Sequence, residues 1–252
     1  MPIQMTFIKW NLLFILLILN ICASAQTNNN AVNFPMVLVK VDSFQMGNVN
    51  GKKDAKPVHL VKLKDFYIGK YEVTQGLWQQ IMGNEKNRKL DCLDCPVYDV
   101  SLDDIQLFLM SLNQATGKHY RLPTEAEWEF AAIGGSESKN YKYCGSNNLE
   151  EVAWFESNSD MKTHPVGQKN PNELGIYDMS GNVWELCSDW YSKSFYKISP
   201  VENPNNTVKS SNHVVRGGSW RSGEERCRTR SRNRDIRDHH ISNCGFRLVL
   251  EL

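Results

Sequence analysis

The chain has 252 residues, of which 41% are hydrophobic and 23% charged, and these proportions exclude a collagen-like, coiled-coil or wholly disordered protein. Lys plus Arg number 29 and Asp plus Glu 28, a formal net charge of +1. No overall field therefore draws the chain to nucleic acid or an anionic membrane, and affinity for either needs a local patch.

Residues 1–25 read as a secretory signal. Lys9 supplies the positive flank, 10–22 is mostly apolar, and Ala23-Ser24-Ala25 has the small-x-small form of a cleavage site. The apolar run falls short of the ~20 residues that cross a bilayer core, so no membrane span is expected and the protein is expected to be secreted or periplasmic. Residues 26–35 are polar and asparagine-rich, a flexible linker, and 36–252 are expected to form one α+β domain.

Within that domain, 36–41 is apolar and β-branched and reads as a strand leading into a turn over 43–47. The alternation at 58–63 predicts a second strand, and 66–71 is expected to continue the same sheet. Thr74 caps a helix over 75–82 that Gly83 stops. Ser101 with Asp104 opens a helix over 105–114, and Thr124 with Glu127 opens another over 128–132. From Gly135 to expected strands at 214–215 and 246–250 no period is sustained. The aromatics Trp154, Phe155, Tyr177, Trp184, Trp190 and Tyr191 nonetheless argue that this stretch is an ordered, functional loop.

Cleavage would remove Cys22 and leave Cys92, Cys95, Cys144, Cys187, Cys227 and Cys244. An even set in an oxidising compartment favours disulfides. No second Cys-x-x-Cys follows Cys92 and Cys95, so a small loop disulfide or two loop thiols is expected there rather than zinc. Arg226, Arg228, Arg230, Arg232 and Arg234 alternate with uncharged residues, which places them on one face of an extended segment. That face is either an anion or acidic-peptide groove or a solvated surface paired with Glu224, Glu225, Asp235 and Asp238, and the second is expected. His239 and His240 point to opposite sides of a strand and are not expected to chelate.

Five segments carry a family resemblance: Phe66-Tyr-Ile-Gly-Lys-Tyr-Glu-Val-Thr-Gln75, Arg121-Leu-Pro-Thr-Glu-Ala-Glu-Trp-Glu129, Gly175-Ile-Tyr-Asp-Met-Ser-Gly-Asn-Val-Trp-Glu185, Arg216-Gly-Gly-Ser-Trp220 and Gly245-Phe-Arg247. In this order the chain resembles the formylglycine-generating enzymes, the sulfatase-modifying factor family. The resemblance implies a modified C-type-lectin-like fold with little regular structure and bound calcium. Calcium takes hard oxygen ligands, and Ser180, Gly181, Asn182, Val183 and Glu185 are expected to supply them as backbone carbonyls, an amide oxygen and a carboxylate.

Enzymes of this family oxidise a cysteine in a sulfatase Cys-x-Pro-x-Arg peptide to formylglycine with O₂ and copper(I). Copper(I) is soft and is held by thiolates, which in the family come from two cysteines five residues apart after Gly-Gly-Ser. Here Ser219 matches the serine of that motif and Cys227 the second cysteine, but Ser222 stands where the first belongs. Copper(I) is therefore expected to lack its ligand pair. Should Cys187 approach Cys227, a disulfide between them is expected rather than a copper site. Together these readings predict an exported binding or assembly module with a protein or peptide partner, such as a sulfatase or an envelope assembly. The alternative is a formylglycine-generating oxidase.

Overall fold

The two ends of the domain meet in one antiparallel sheet. In the computed structural model, which describes Val32 and residues 34–84, 90–236 and 242–252, β1 (Met36–Val39) pairs with β4 (Phe66–Gly69). Strand β10 (Val249–Leu250) lies on the other side of β4, and β5 (Tyr120–Arg121) completes the order β1-β4-β10-β5. The expected signal, most of the expected linker and His239–His240 lie outside the described residues. The domain, Phe34–Leu252, is a single unit.

Two sequence expectations change here. Residues 43–47 are not a turn, because β2 (Ser43–Met46) is a strand paired with β3 (His59–Lys62). Nor do β3 and β4 share a sheet. Asp65 accepts the Val41 N–H at 2.9 Å and binds Lys40 Nζ at 2.9 Å, and beyond this point the chain joins β1 instead.

The third sheet has the order β8-β7-β6-β9, built from β6 (Trp184–Trp190), β7 (Asn212–Arg216), β8 (Asn233–Ile236) and β9 (Cys244–Gly245), with β6 and β9 parallel. Strand β6 replaces part of the expected loop: it is buried on both faces from Trp184 to Cys187, which leaves no alternation in the sequence.

The predicted caps are in place, and the second and third helices begin directly after them, at Leu102 and Glu125, three residues ahead of the expected spans. Thr74 accepts the Leu77 N–H ahead of α1 (Gln75–Met82), and Gly83 ends it at φ 76°. Ser101 and Asp104 form a reciprocal capping box at α2 (Leu102–Thr116), as do Thr124 and Glu127 at α3 (Glu125–Ala132). Helix α3 is buried along its whole length, including Glu125, Glu127 and Glu129. Its Trp128 and Phe130 join Phe44, Phe66, Ile68, Val214 and Val249 in a core drawn from all three sheets. Among the described residues no helix is long and apolar enough to cross a membrane.

Cys92 and Cys95 form a disulfide, one of the two arrangements expected for that motif. Cys144, Cys187 and Cys227 are buried outside any disulfide, so the wider disulfide framework expected from the even count is not formed. Burial in apolar clusters shields these thiols from water.

Candidate functional site

After β7 the chain turns through Gly217 and Gly218, at φ 91° and 80°. This left-handed backbone suits glycine, and a Cβ on Gly218 would also sit 2.7 Å from Cys227 Sγ. The glycine pair thus lets the strand end lie against the thiol. The next residues close a tight turn in which Ser222 N–H donates to the Ser219 carbonyl at 2.8 Å. Ser222 Oγ accepts the Ser219 N–H at 3.0 Å and lies 3.2 Å from Ser219 Oγ, to which Asn243 Nδ2 donates at 2.9 Å.

Cys227 is fully buried against Tyr143, Leu149, Val152, Ala153 and Phe155. Its carbonyl is tied to Ser180 Oγ at 2.7 Å. Burial, with Glu224 adding to it, pushes the Cys227 thiol up to about 12. The structure therefore gathers Ser219, Ser222 and Cys227 as the sequence suggested. Cys187 does not join them. It packs in the main core, apart from the cluster holding Cys227, so the Cys187–Cys227 disulfide is corrected to two separate thiols. A single thiol beside a hydroxyl already engaged in a serine turn does not supply the paired soft ligands that copper(I) requires.

The segment from Ser180 to Glu185 ties the loops to the core. Gly181 N–H donates to the Gly217 carbonyl and Asn182 N–H to the Trp154 carbonyl. Asn182 Oδ1 accepts the His164 N–H at 3.0 Å, while its Nδ2 donates to Glu72 Oε2 at 2.7 Å. Val183 N–H donates to Glu72 Oε1 at 3.1 Å. Both oxygens of Glu185 accept from Arg247 at 2.6 Å, and Oε2 also accepts from Trp128 Nε1 at 2.6 Å.

This geometry revises the expected calcium ligands. The Asn182 amide oxygen and the Glu185 carboxylate already serve protein donors. An oxygen left open just ahead of this segment belongs to Asp178, whose Oδ2 accepts the Gly167 N–H at 2.7 Å but whose Oδ1 is buried with no hydrogen-bond partner. Burial pushes Asp178 up to about 6. Burial, then the charges of Asp178 and Glu185, hold Glu72 well above the usual carboxylate range. Among the described residues no three His, Cys, Asp or Glu side chains converge as a metal-ligand set.

The arginine run also departs from expectation. The strand begins only at Asn233, so the arginines before it share no extended face. Arg232 grips both oxygens of Glu125 at 2.5–2.6 Å, and Arg230 Nη1 reaches Glu129 Oε1 at 3.1 Å. Arg216 bridges Glu125 at 2.8 Å and Glu129 at 2.7 Å. The partners are thus buried acids of α3 about a hundred residues earlier; of the expected neighbours, Glu225 stands 3.5 Å from Arg228, while Asp238 and the side chain of Asp235 lie outside the described residues. Arg216 and Arg247 stood in the segments that carry the resemblance, but nothing local in the sequence assigned them a role. An arginine directly before Gly-Gly-Ser, or after Gly-Phe, signals buried ion pairing only once its distant carboxylate is known.

Three small sheets, a buried acidic helix and loops pinned by polar hubs define a modified C-type-lectin-like scaffold of the α+β class. The chain belongs to the sulfatase-modifying factor family, since the sulfatase-modifying factor enzyme 1-like domain matches residues 23–252. It is 35% identical to the chaperone protein LppX of Paenibacillus barcinonensis over 84% of this chain and 88% of that protein. It is 33% identical to the formylglycine-generating enzyme of Streptomyces coelicolor, over 60% of this chain and only about half (51%) of the enzyme. Among solved structures, PvdO from Pseudomonas aeruginosa superposes with a TM-score of 0.77 at 26% identity, covering 88% of this chain and 96% of PvdO.

Proposed function

We propose that this chain is an exported binding or assembly module built on the sulfatase-modifying scaffold, with a protein or peptide partner. The observation that carries this reading is Ser222 at the first copper-ligand position, its hydroxyl engaged by Ser219, beside a buried Cys227 thiol. A serine oxygen is a hard, protonated ligand, so the pair that would hold copper(I) for O₂ activation is missing. The resemblance to a protein named a chaperone, over nearly the full length of both chains, supports a partner-binding role. Residues 1–25, as a cleaved signal, would deliver the module to a secreted or periplasmic location.

Incubation with copper(I), O₂ and a Cys-x-Pro-x-Arg peptide, followed by mass spectrometry, tests this reading. The peptide is expected to keep its thiol. Conversion of the thiol to an aldehyde, lost in Cys227→Ala, would establish the oxidase instead.

Calcium belongs to the same proposal, centred on Asp178 rather than Asn182. Its open Oδ1 is a hard oxygen of the kind that calcium accepts. An ion there would offset the excess of Glu72, Asp178 and Glu185 over Arg247. Calcium is expected to raise the melting temperature of the wild-type protein, reversibly with a chelator, and to leave Asp178→Asn unchanged. Equal shifts in both proteins would remove the site.

A further inference from the structure

The loop between β2 and β3 carries Lys52, Lys53 and Lys56 and faces the turn that contains the arginine run. A cavity of about 110 Å³ lies between them, lined by Asn48, Lys52, Asp54, Arg228, Arg230 and Ser231 among others. A single water needs only about 10–15 Å³ on such a measure, so this space holds several waters or one small polyatomic ion.

The donors around the cavity are unevenly used. Arg232 spends its guanidinium on Glu125 and on the Asp54 carbonyl. Arg230 directs Nη1 to the carbonyls of Gln45 and Gly47 and to Glu129. Arg228 differs, because its Nε is buried without a hydrogen-bond partner. Its ion-pair partner, Glu225, stands 3.5 Å away with a side chain that is 78% exposed. A buried donor without an acceptor is unfavourable, so an acceptor entering the cavity can satisfy the Arg228 Nε.

Charge points the same way. Lys52, Arg228, Arg230 and Arg232 line the space with Asp54 and Glu225, while Arg216, Glu125 and Glu129 form the buried layer behind it. Four cations, Lys52, Arg228, Arg230 and Arg232, thus line the cavity itself with two carboxylates, Asp54 and Glu225. One of those carboxylates, Asp54, also accepts the Tyr191 hydroxyl at 2.7 Å.

We propose that this cavity binds a small tetrahedral oxyanion of the phosphate or sulfate class, held by Arg228 and Lys52 over the Arg230 floor. A guanidinium suits such an anion because its planar fork donates paired hydrogen bonds to two oxygens. The ion replaces Glu225 as the partner of Arg228. The site is separate from the Ser219–Ser222–Cys227 turn and uses none of its residues.

Titration of the full chain with inorganic phosphate and with sulfate, at ionic strength held constant with chloride, tests the site by calorimetry and melting temperature. Saturable binding is expected, with stabilisation that chloride does not reproduce. Arg228→Gln leaves the buried pairs of α3 intact and is expected to weaken binding about tenfold or more, the loss for one charge-assisted hydrogen bond. Lys52→Gln, on an exposed loop, is a second variant with a smaller loss, and Lys118→Gln on the loop after α2 is the control. No binding beyond chloride, or equal affinity in Arg228→Gln and Lys118→Gln, would overturn the proposal.

Discussion

Helix α3 separates two buried ion clusters of opposite imbalance. On one side Glu125 and Glu129 meet Arg216, Arg230 and Arg232, two acids in direct ion pairs with three bases, and the further acid behind them, Asp189, is raised to about 7. On the other, Glu185 meets Arg247 while Glu72 and Asp178 crowd the same space, three acids against one base. Trp128 stands between them, donating its Nε1 to Glu185 and lying under the Arg216 guanidinium, 5.0 Å from ring centroid to Cζ. Buried ions are costly to desolvate and are tolerated where partners and hydrogen bonds compensate. The comparison teaches that neither cluster is neutral by itself. The basic one borders a cavity suited to an anion, and the acidic one leaves a carboxylate oxygen open.

Removing the lone base of the acidic cluster gives the largest expected effect. Arg247→Met leaves Glu185 unpaired beside two further acids, and its loss of unfolding free energy in urea is expected at the top of the about 3–5 kcal/mol typical of a broken buried pair. Arg216→Met is expected to cost less, since Arg232 and Arg230 still hold Glu125 and Glu129. Equal losses, or the reverse order, would mean that the two clusters are not imbalanced as described.

A pH effect sharpens the comparison on the basic side. Asp189 lies behind that cluster, accepting the Glu125 N–H at 2.7 Å and the Asn206 N–H at 2.9 Å. Burial, then the charge of Glu125, raises Asp189 from 3.8 to about 7. The folded chain thus binds this proton more tightly than the unfolded chain. The stability that Asp189 contributes is present below pH 3.8 and is lost as pH rises to about 7. Urea titrations across that window are expected to show a shallower decline in Asp189→Asn than in the wild type; parallel declines would contradict the assignment.

The smallest effect concerns the helix that carries Glu125 and Glu129. Thr124→Ala removes the hydroxyl that accepts the Glu127 N–H at 3.2 Å and is expected to cost about 1 kcal/mol. The same substitution at Ser101 acts on α2, away from both clusters. Phosphate binding, read by calorimetry, is expected to weaken in the Thr124 variant and to stay unchanged in Ser101→Ala.

Local chemistry was legible in the sequence wherever cause and consequence lie within one turn. Thr74, Ser101 and Thr124 announce their helices because a cap acts on an N–H three residues away. The Gly-Gly-Ser turn and its distance from Cys227 were equally readable. Partnerships formed across the fold were not. Sequence spacing pairs the arginine run with acids next to it in the chain, whereas Arg230 and Arg232 reach Glu129 and Glu125 in a helix whose acids, by sequence alone, are simple dipole partners. Strand β6 escaped notice because burial on both faces erases period two. Asp178, within a quoted segment, gave no sign that one of its oxygens would be left open, since that depends on Gly167 and Glu72 from other loops.

The central claim is that Ser222 removes the copper(I) site, and a competitive copper(I) titration against a soft chelator under reducing, anaerobic conditions tests it most directly. The wild-type chain is expected to take up no stoichiometric copper(I), whereas Ser222→Cys, which restores a thiol five residues before Cys227, gains it. Uptake of one copper(I) per wild-type chain, abolished by Cys227→Ala, would contradict the account.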